Sequence, residues 1–147
     1  MKTAKNNVNK LPFEVFEAVQ TADKQADRIA LLQENASYEL KTILQAAFRA
    51  DIVFDLPAGA PPYTVNPSPA GMMHMSMKKH VNMLPLLLVG NPRWPKMKKE
   101  MSFIRLLEEV CEKDAEIFIA MKDKALTKKY STLTPSLVKK AFTDLGI

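Results

Sequence analysis

The sequence predicts a mostly α-helical protein: a compact bundle of short helices around a proline-rich central loop, with at most one short extended segment. Three observations carry this reading. Apolar residues recur at helical spacing in residues 11–50 and again in residues 96–142. Prolines crowd the stretch between these regions, and Ser37 and Thr134 stand where helix caps belong.

Along the chain, Phe13, Phe16 and Val19 follow helical spacing behind Pro12, a residue suited to a first helical position. A second helix is expected over ADRIALLQEN, with Ile29, Leu31 and Leu32 apolar and Asn35 as its stop. Ser37 caps a third, YELKTILQAAF, whose Leu40, Ile43, Leu44, Ala47 and Phe48 make one face. Ile52, Val53, Phe54 and Leu56 are a brief β-prone run. The segment from Leu56 to Gly71 then holds five prolines and two glycines. Proline fixes φ and lacks a donor, so this stretch is neither helix nor central strand and should wrap the outside of the helices.

Helical pattern resumes from Met72 to Leu84, ending at Pro85, and GNPRWP from Gly90 to Pro95 is a second break. Trp94 in that break is read as a pin holding the loop to the core. Beyond it, Met97, Met101, Ile104, Leu107 and Cys111 fall on one stripe, read as core-facing. DAEIFIAMKDKAL is a second C-terminal helix with Asp114 as candidate N-cap, and Thr134–Pro135 starts a third. Residues 1–10 offer almost nothing apolar to bury and are expected to fray, leaving one domain over 11–147.

Composition narrows the function classes. With 147 residues the chain is long enough to bury a core without covalent staples. Cys111 is its only cysteine, so an intrachain disulfide is impossible and a reducing compartment is expected. No apolar stretch follows the charged start, so no Sec-type signal is expected. The longest apolar run, Met83–Val89, contains Pro85 and falls far below the roughly 20 residues of a membrane span. No membrane partner is expected.

The net charge of +5 is uneven: residues 1–71 hold 7 Lys/Arg against 8 Asp/Glu, and residues 72–147 hold 14 against 8. Such asymmetry favours an acidic partner for the C-terminal half, either a protein with an acidic surface or DNA or RNA. The candidate binding residues are Lys122, Lys124, Lys128, Lys129, Lys139 and Lys140, with Tyr130 available for stacking. The last helix offers no Arg, Asn or Gln for base edges, so nucleic-acid contact through these lysines would be independent of sequence and steeply salt-dependent.

Other constellations favour structural readings. Met72, Met73, Met75 and Met77 beside His74 and His80 have the donors of a soft-metal site. The same residues serve as adaptable packing, which is the preferred reading. Cys111 is read as a buried inert thiol, and Glu108–Glu109 and Glu112–Asp114 as a solvated face. No P-loop, paired CxxC, HExxH or GxSxG pattern occurs, so no enzyme activity, cofactor or metal is expected.

Two blocks carry a resemblance. AAF and IVFDLPAGAPPY lie within Ala46–Tyr63, and FIRLLEEV, DAEIFIAMKDKAL, KKY and LTPSLVKKAF lie within Phe103–Phe142. Together they resemble small uncharacterised proteins of large tailed bacteriophages, the myoviruses, including those of marine bacteria. The resemblance implies a phage product acting in the host cytoplasm or in the particle, and it brings no assigned activity and no functional residues. The expectation is therefore a non-enzymatic phage accessory protein that binds a host or phage protein through its basic C-terminal half. The alternatives are a sequence-nonspecific nucleic-acid-binding protein and a virion structural component.

Overall fold

The computed structural model describes residues 10–67 and 77–147 and places eight helices among them. The first three are α1 (Pro12–Thr21), α2 (Gln25–Glu34) and α3 (Tyr38–Phe48). In α1 the Leu11 N–H donates to Glu14 Oε1 at 2.8 Å, satisfying one otherwise orphaned helix-end donor. Ser37 caps α3 by accepting the Leu40 N–H at 3.0 Å, as its sequence position predicts. Val15, Phe16 and Val19 of α1 and Leu40, Ile43, Leu44 and Ala47 of α3 are buried.

After α3 the chain runs without regular structure to residue 67. Its extended part is a single antiparallel bridge between Phe54 and Leu88, closed by Asp55 N–H to Leu87 O at 2.8 Å and Val89 N–H to Val53 O at 2.9 Å. The predicted extended run is therefore one bridge long. Next come α4 (Met77–Met83) and a 3-10 turn, Leu84–Leu87, which carries helical winding across Pro85.

Three features of the C-terminal half depart from the sequence expectation. In α5 (Lys96–Glu109) the buried face is Lys99, Phe103, Leu106 and Leu107. Met97 and Met101 are 72% and 62% exposed, so the predicted stripe is rotated away from the core at its N-terminal end. Lys99 takes the core position instead because its stem packs there while its ammonium finds Asp55 Oδ2 at 3.2 Å and Leu88 O at 2.8 Å. In α6 (Glu112–Lys122) Asp114 lies inside the first turn and Cys111 is the N-cap. Finally, DKAL does not extend α6: Lys124 turns into the left-handed region at φ 58, and α7 (Leu126–Lys129) starts afresh. The predicted Thr134 cap does form, accepting the Leu137 N–H at 3.2 Å at the start of α8 (Pro135–Ala141).

Helix α6 is the hub, touching α1, α3, α5 and α7. Ala115, Ile117, Phe118, Ala120 and Met121 are all buried, and a helix apolar on most sides belongs in the centre of a bundle. Helix α8 closes the fold against α2 through Leu137, Val138 and Ala141.

Candidate functional site

The seven residues marked by the sequence do not form one surface. Lys122 is 8% exposed, and its ammonium donates to Pro57 O at 2.9 Å, Gly59 O at 2.8 Å and Asp123 Oδ1 at 2.6 Å. All three of its donors are used, which leaves none for a phosphate or an external carboxylate. Lys124 donates to the carbonyls of Ala46 and Arg49, capping the end of α3. Tyr130 is buried, with its ring edge-on to Phe16 at 5.6 Å, and cannot stack on a base. Lys129 is exposed but pairs with Glu116 at 2.8 Å. Lys128, Lys139 and Lys140 are exposed, and their side chains have no hydrogen-bond or ion-pair partner among the described residues.

The internal lysines instead build a feature the sequence did not announce. Lys122 and Asp123 clasp the proline-rich strap: while Lys122 binds two strap carbonyls, the Asp123 carboxylate accepts the Gly59 N–H at 3.1 and 3.3 Å. Gly59 sits at φ +83, a conformation that side-chain-bearing residues rarely adopt. Farther along, Glu108 of α5 accepts the Thr64 N–H at 2.8 Å. Between these ties the strap stands off from α5 and leaves a cleft of about 400 Å3. Residues 56–62 form one wall, Glu100, Phe103 and Ile104 the other, and Lys122 is the only basic residue in the lining. That volume falls among ordinary ligand pockets, about 300–1,000 Å3.

The outer face of α5 continues from the cleft. Met97, Met101 and Ile104 are spaced i, i+4, i+7 and share a side, while Lys98, Met101 and Arg105 adjoin them at i, i+3, i+7. Lys98 lies over the Trp94 ring at 4.8 Å, and the half-buried Trp94 packs against the core as a loop pin. Lys96 reaches Asp55 Oδ1 at 3.2 Å. Arg93 and Arg105 are exposed, without a side-chain partner among the described residues.

Residues 15–128 match DUF6433, a family of unknown function. The chain belongs to DUF6433. No curated protein and no solved structure matches it. In this DUF6433 protein the matched span contains the strap, α5, α6 and the whole lining of the cleft, whereas Lys139 and Lys140 lie beyond it.

The remaining titratable groups have structural surroundings. Cys111 is buried, and burial pushes its thiol up to about 11, which keeps it protonated and unreactive at neutral pH. Asp114 is fully buried, accepts the Phe13 N–H at 3.0 Å through Oδ1, and is raised to about 6 by burial. His80 is buried with Nε2 3.8 Å from Glu109 Oε1, and burial lowers its pKa. Of the Met/His motif, residues 72–76 lie outside the described residues. No cluster of three metal-binding side chains occurs among those that are described. No helix of the described residues is long and apolar enough to cross a membrane.

Proposed function

We propose that this DUF6433 protein is a non-enzymatic interaction module that binds a protein with an acidic surface through its basic C-terminal half. One observation carries the preference for protein over nucleic acid. The exposed basic groups of α5 are interleaved with Met97 and Met101, which are 72% and 62% open to solvent. Phosphate attraction needs only charge. Exposed, adaptable methionines beside that charge add apolar contact of the kind protein-binding surfaces use. The resemblance to myoviral proteins supports a phage product working in the host cytoplasm.

The test is affinity purification of the tagged protein from infected cells, with and without nuclease. The proposal expects a discrete partner that survives nuclease and is lost when Arg105, Lys128, Lys139 and Lys140 are changed to Glu. A second reading, sequence-nonspecific nucleic-acid binding, is favoured by the exposed Lys128, Lys139 and Lys140, whose side chains have no partner among the described residues. It predicts that nuclease abolishes capture and that binding to mixed-sequence DNA falls linearly in log salt.

A further inference from the structure

We infer that α1 is a proton-linked latch. It stays docked on α6 while the buried carboxyl of Asp114 holds a proton, and it loosens when that carboxyl ionises, with the rest of the bundle still folded. The latch operates whichever partner the protein binds.

The junction of α1 and α6 is built around one carboxyl. Asp114 stands in the first turn of α6, is 0% exposed, and uses Oδ1 to accept the Phe13 N–H from the first turn of α1. Oδ2 is buried without a hydrogen-bond partner among the described residues. A buried carboxylate with an unpaired oxygen is costly, because the charge has left water and nothing replaces it. The neutral acid has no charge to desolvate, and its Oδ1 still accepts from α1.

The surrounding charge favours the proton as well. On α1, Glu14 repels the carboxylate, and Glu17 pairs with Lys113 of α6 at 3.0 Å. Lys113 also lies over the Phe13 ring at 5.3 Å. On α6 itself Glu112 is exposed, and Glu116 pairs with Lys129 of α7 at 2.8 Å. Both nearby cations are thus taken by other acids. Cys111 and Tyr130 also face Asp114, and burial keeps them neutral by pushing the thiol up to about 11 and the phenol to about 12. Among the described residues, no titratable group of α2, α3 or α5 acts on Asp114. The Phe13 N–H and the N-terminal ends of the two helices favour the anion, but burial outweighs them and raises the carboxyl to about 6.

Once α1 leaves, water reaches Asp114 and the carboxyl returns toward its ordinary value of 3.8. The docked state therefore holds the proton more tightly than the open one. Docking is strongest below about pH 4, weakens as the pH rises to about 6, and is weakest at neutral pH. The gap from 3.8 to about 6 makes α1 open about fiftyfold more often at pH 7 than at pH 4. Helix α1 is placed to respond alone. It meets the bundle chiefly through α2 and α6, and two of its other polar ties, Glu17 to Lys113 and Gln20 to Ser131, are exposed. Opening bares Phe16 and the Tyr130 ring that it meets edge-on, apolar surface that is otherwise buried.

The experiment is native-state hydrogen exchange of the full chain in low urea, corrected for intrinsic exchange rates, at a series of pH values from 4 to 7. The α1 amides from Phe16 to Thr21 should lose protection by about fiftyfold across that range. They should do so with a shallow urea slope, while the Phe118 and Met121 amides of the hub exchange with the steep slope of global unfolding. Asp114→Asn should hold α1 protection level across the same range. The latch is overturned if α1 and hub amides share one urea slope, because α1 then opens only with the whole fold. It is also overturned if α1 protection is flat from pH 4 to 7, or if the Asn variant keeps the wild-type dependence. Carboxyl NMR of the wild type needs no variant: Asp114 should titrate near 6, and a midpoint at or below about 4 discards the proposal.

Discussion

Asp114→Asn tests the energetics of the hub helix. Asp114 is 0% exposed, and its Oδ1 accepts the Phe13 N–H at 3.0 Å. Oδ2 is buried without a hydrogen-bond partner among the described residues. Burial is the largest effect on this carboxyl and raises it from 3.8 to about 6; the Phe13 N–H and the Cys111 thiol oppose the rise, and nearby Glu14 adds to it. The folded state therefore holds the proton more tightly than the unfolded chain. Below about pH 4 both states are protonated and the group is neutral in the balance. As pH climbs from about 4 to 6 the unfolded chain ionises first, and the fold loses stability. Above pH 6 the loss is complete, and the gap between 3.8 and about 6 corresponds to about 3 kcal/mol.

Asparagine keeps an oxygen for the Phe13 N–H and never ionises. The variant should therefore gain on wild type as pH rises from 4 to 7, by up to about 3 kcal/mol, whatever constant offset the amide introduces. Urea unfolding followed by circular dichroism at a series of pH values measures this difference directly. Taking the change between low and neutral pH cancels steric effects of the substitution. A stability difference that stays flat across pH 4–7, or that moves toward wild type, would refute the argument that burial governs this carboxyl.

Two further outcomes follow from named contacts. Lys122→Met removes two hydrogen bonds to strap carbonyls and one to Asp123, which is left beside an apolar side chain, so stability should fall by about 3 kcal/mol. Limited proteolysis should then cut within residues 56–62 before global unfolding, and cleavage no faster than wild type would contradict the clasp. Thr134→Ala removes the cap from the Leu137 N–H and should cost about 1 kcal/mol, measured as a lower urea midpoint at unchanged slope.

The parts of this fold that were legible in the sequence are those governed by local rules. Ser37 and Thr134 cap helices because a side-chain oxygen and an amide three residues on meet by helix geometry alone. The break over residues 57–67 follows from proline chemistry, and the buried faces of α1 and α3 follow from their spacing. The rotation of α5 was not legible. Met97 and Met101 fit an apolar stripe as well as Phe103 and Leu107 do, and only the distant Asp55 and Leu88 O turn Lys99 inward. Asp114 looked like a cap because it precedes an apolar run; Phe13, 101 residues away along the chain, holds it inside the helix. The cleft was invisible for the same reason, since its two walls come from residues 56–62 and 100–104.

Lysine count was the least reliable guide, and the cause is physical. Pro57, Pro61, Pro62 and Pro67 contribute carbonyls without N–H groups, so the strap region has more acceptors than donors of its own. No sheet lies beside it among the described residues to make up the difference, because Phe54 and Leu88 form an isolated bridge. An ammonium on a four-carbon stem carries three donors and reaches such carbonyls from another helix. Lys122 does this for the strap carbonyls of Pro57 and Gly59, and Lys99 and Lys124 do the same outside the strap for those of Leu88, Ala46 and Arg49. Lys122 and Lys124 do so across 63 to 78 residues of sequence. A positive surplus in a chain with a proline-rich, sheetless segment therefore partly reflects internal hydrogen bonding. The charge that can meet a partner is the smaller set left outside, which shifts the search from the KDK segment to the rim of α5.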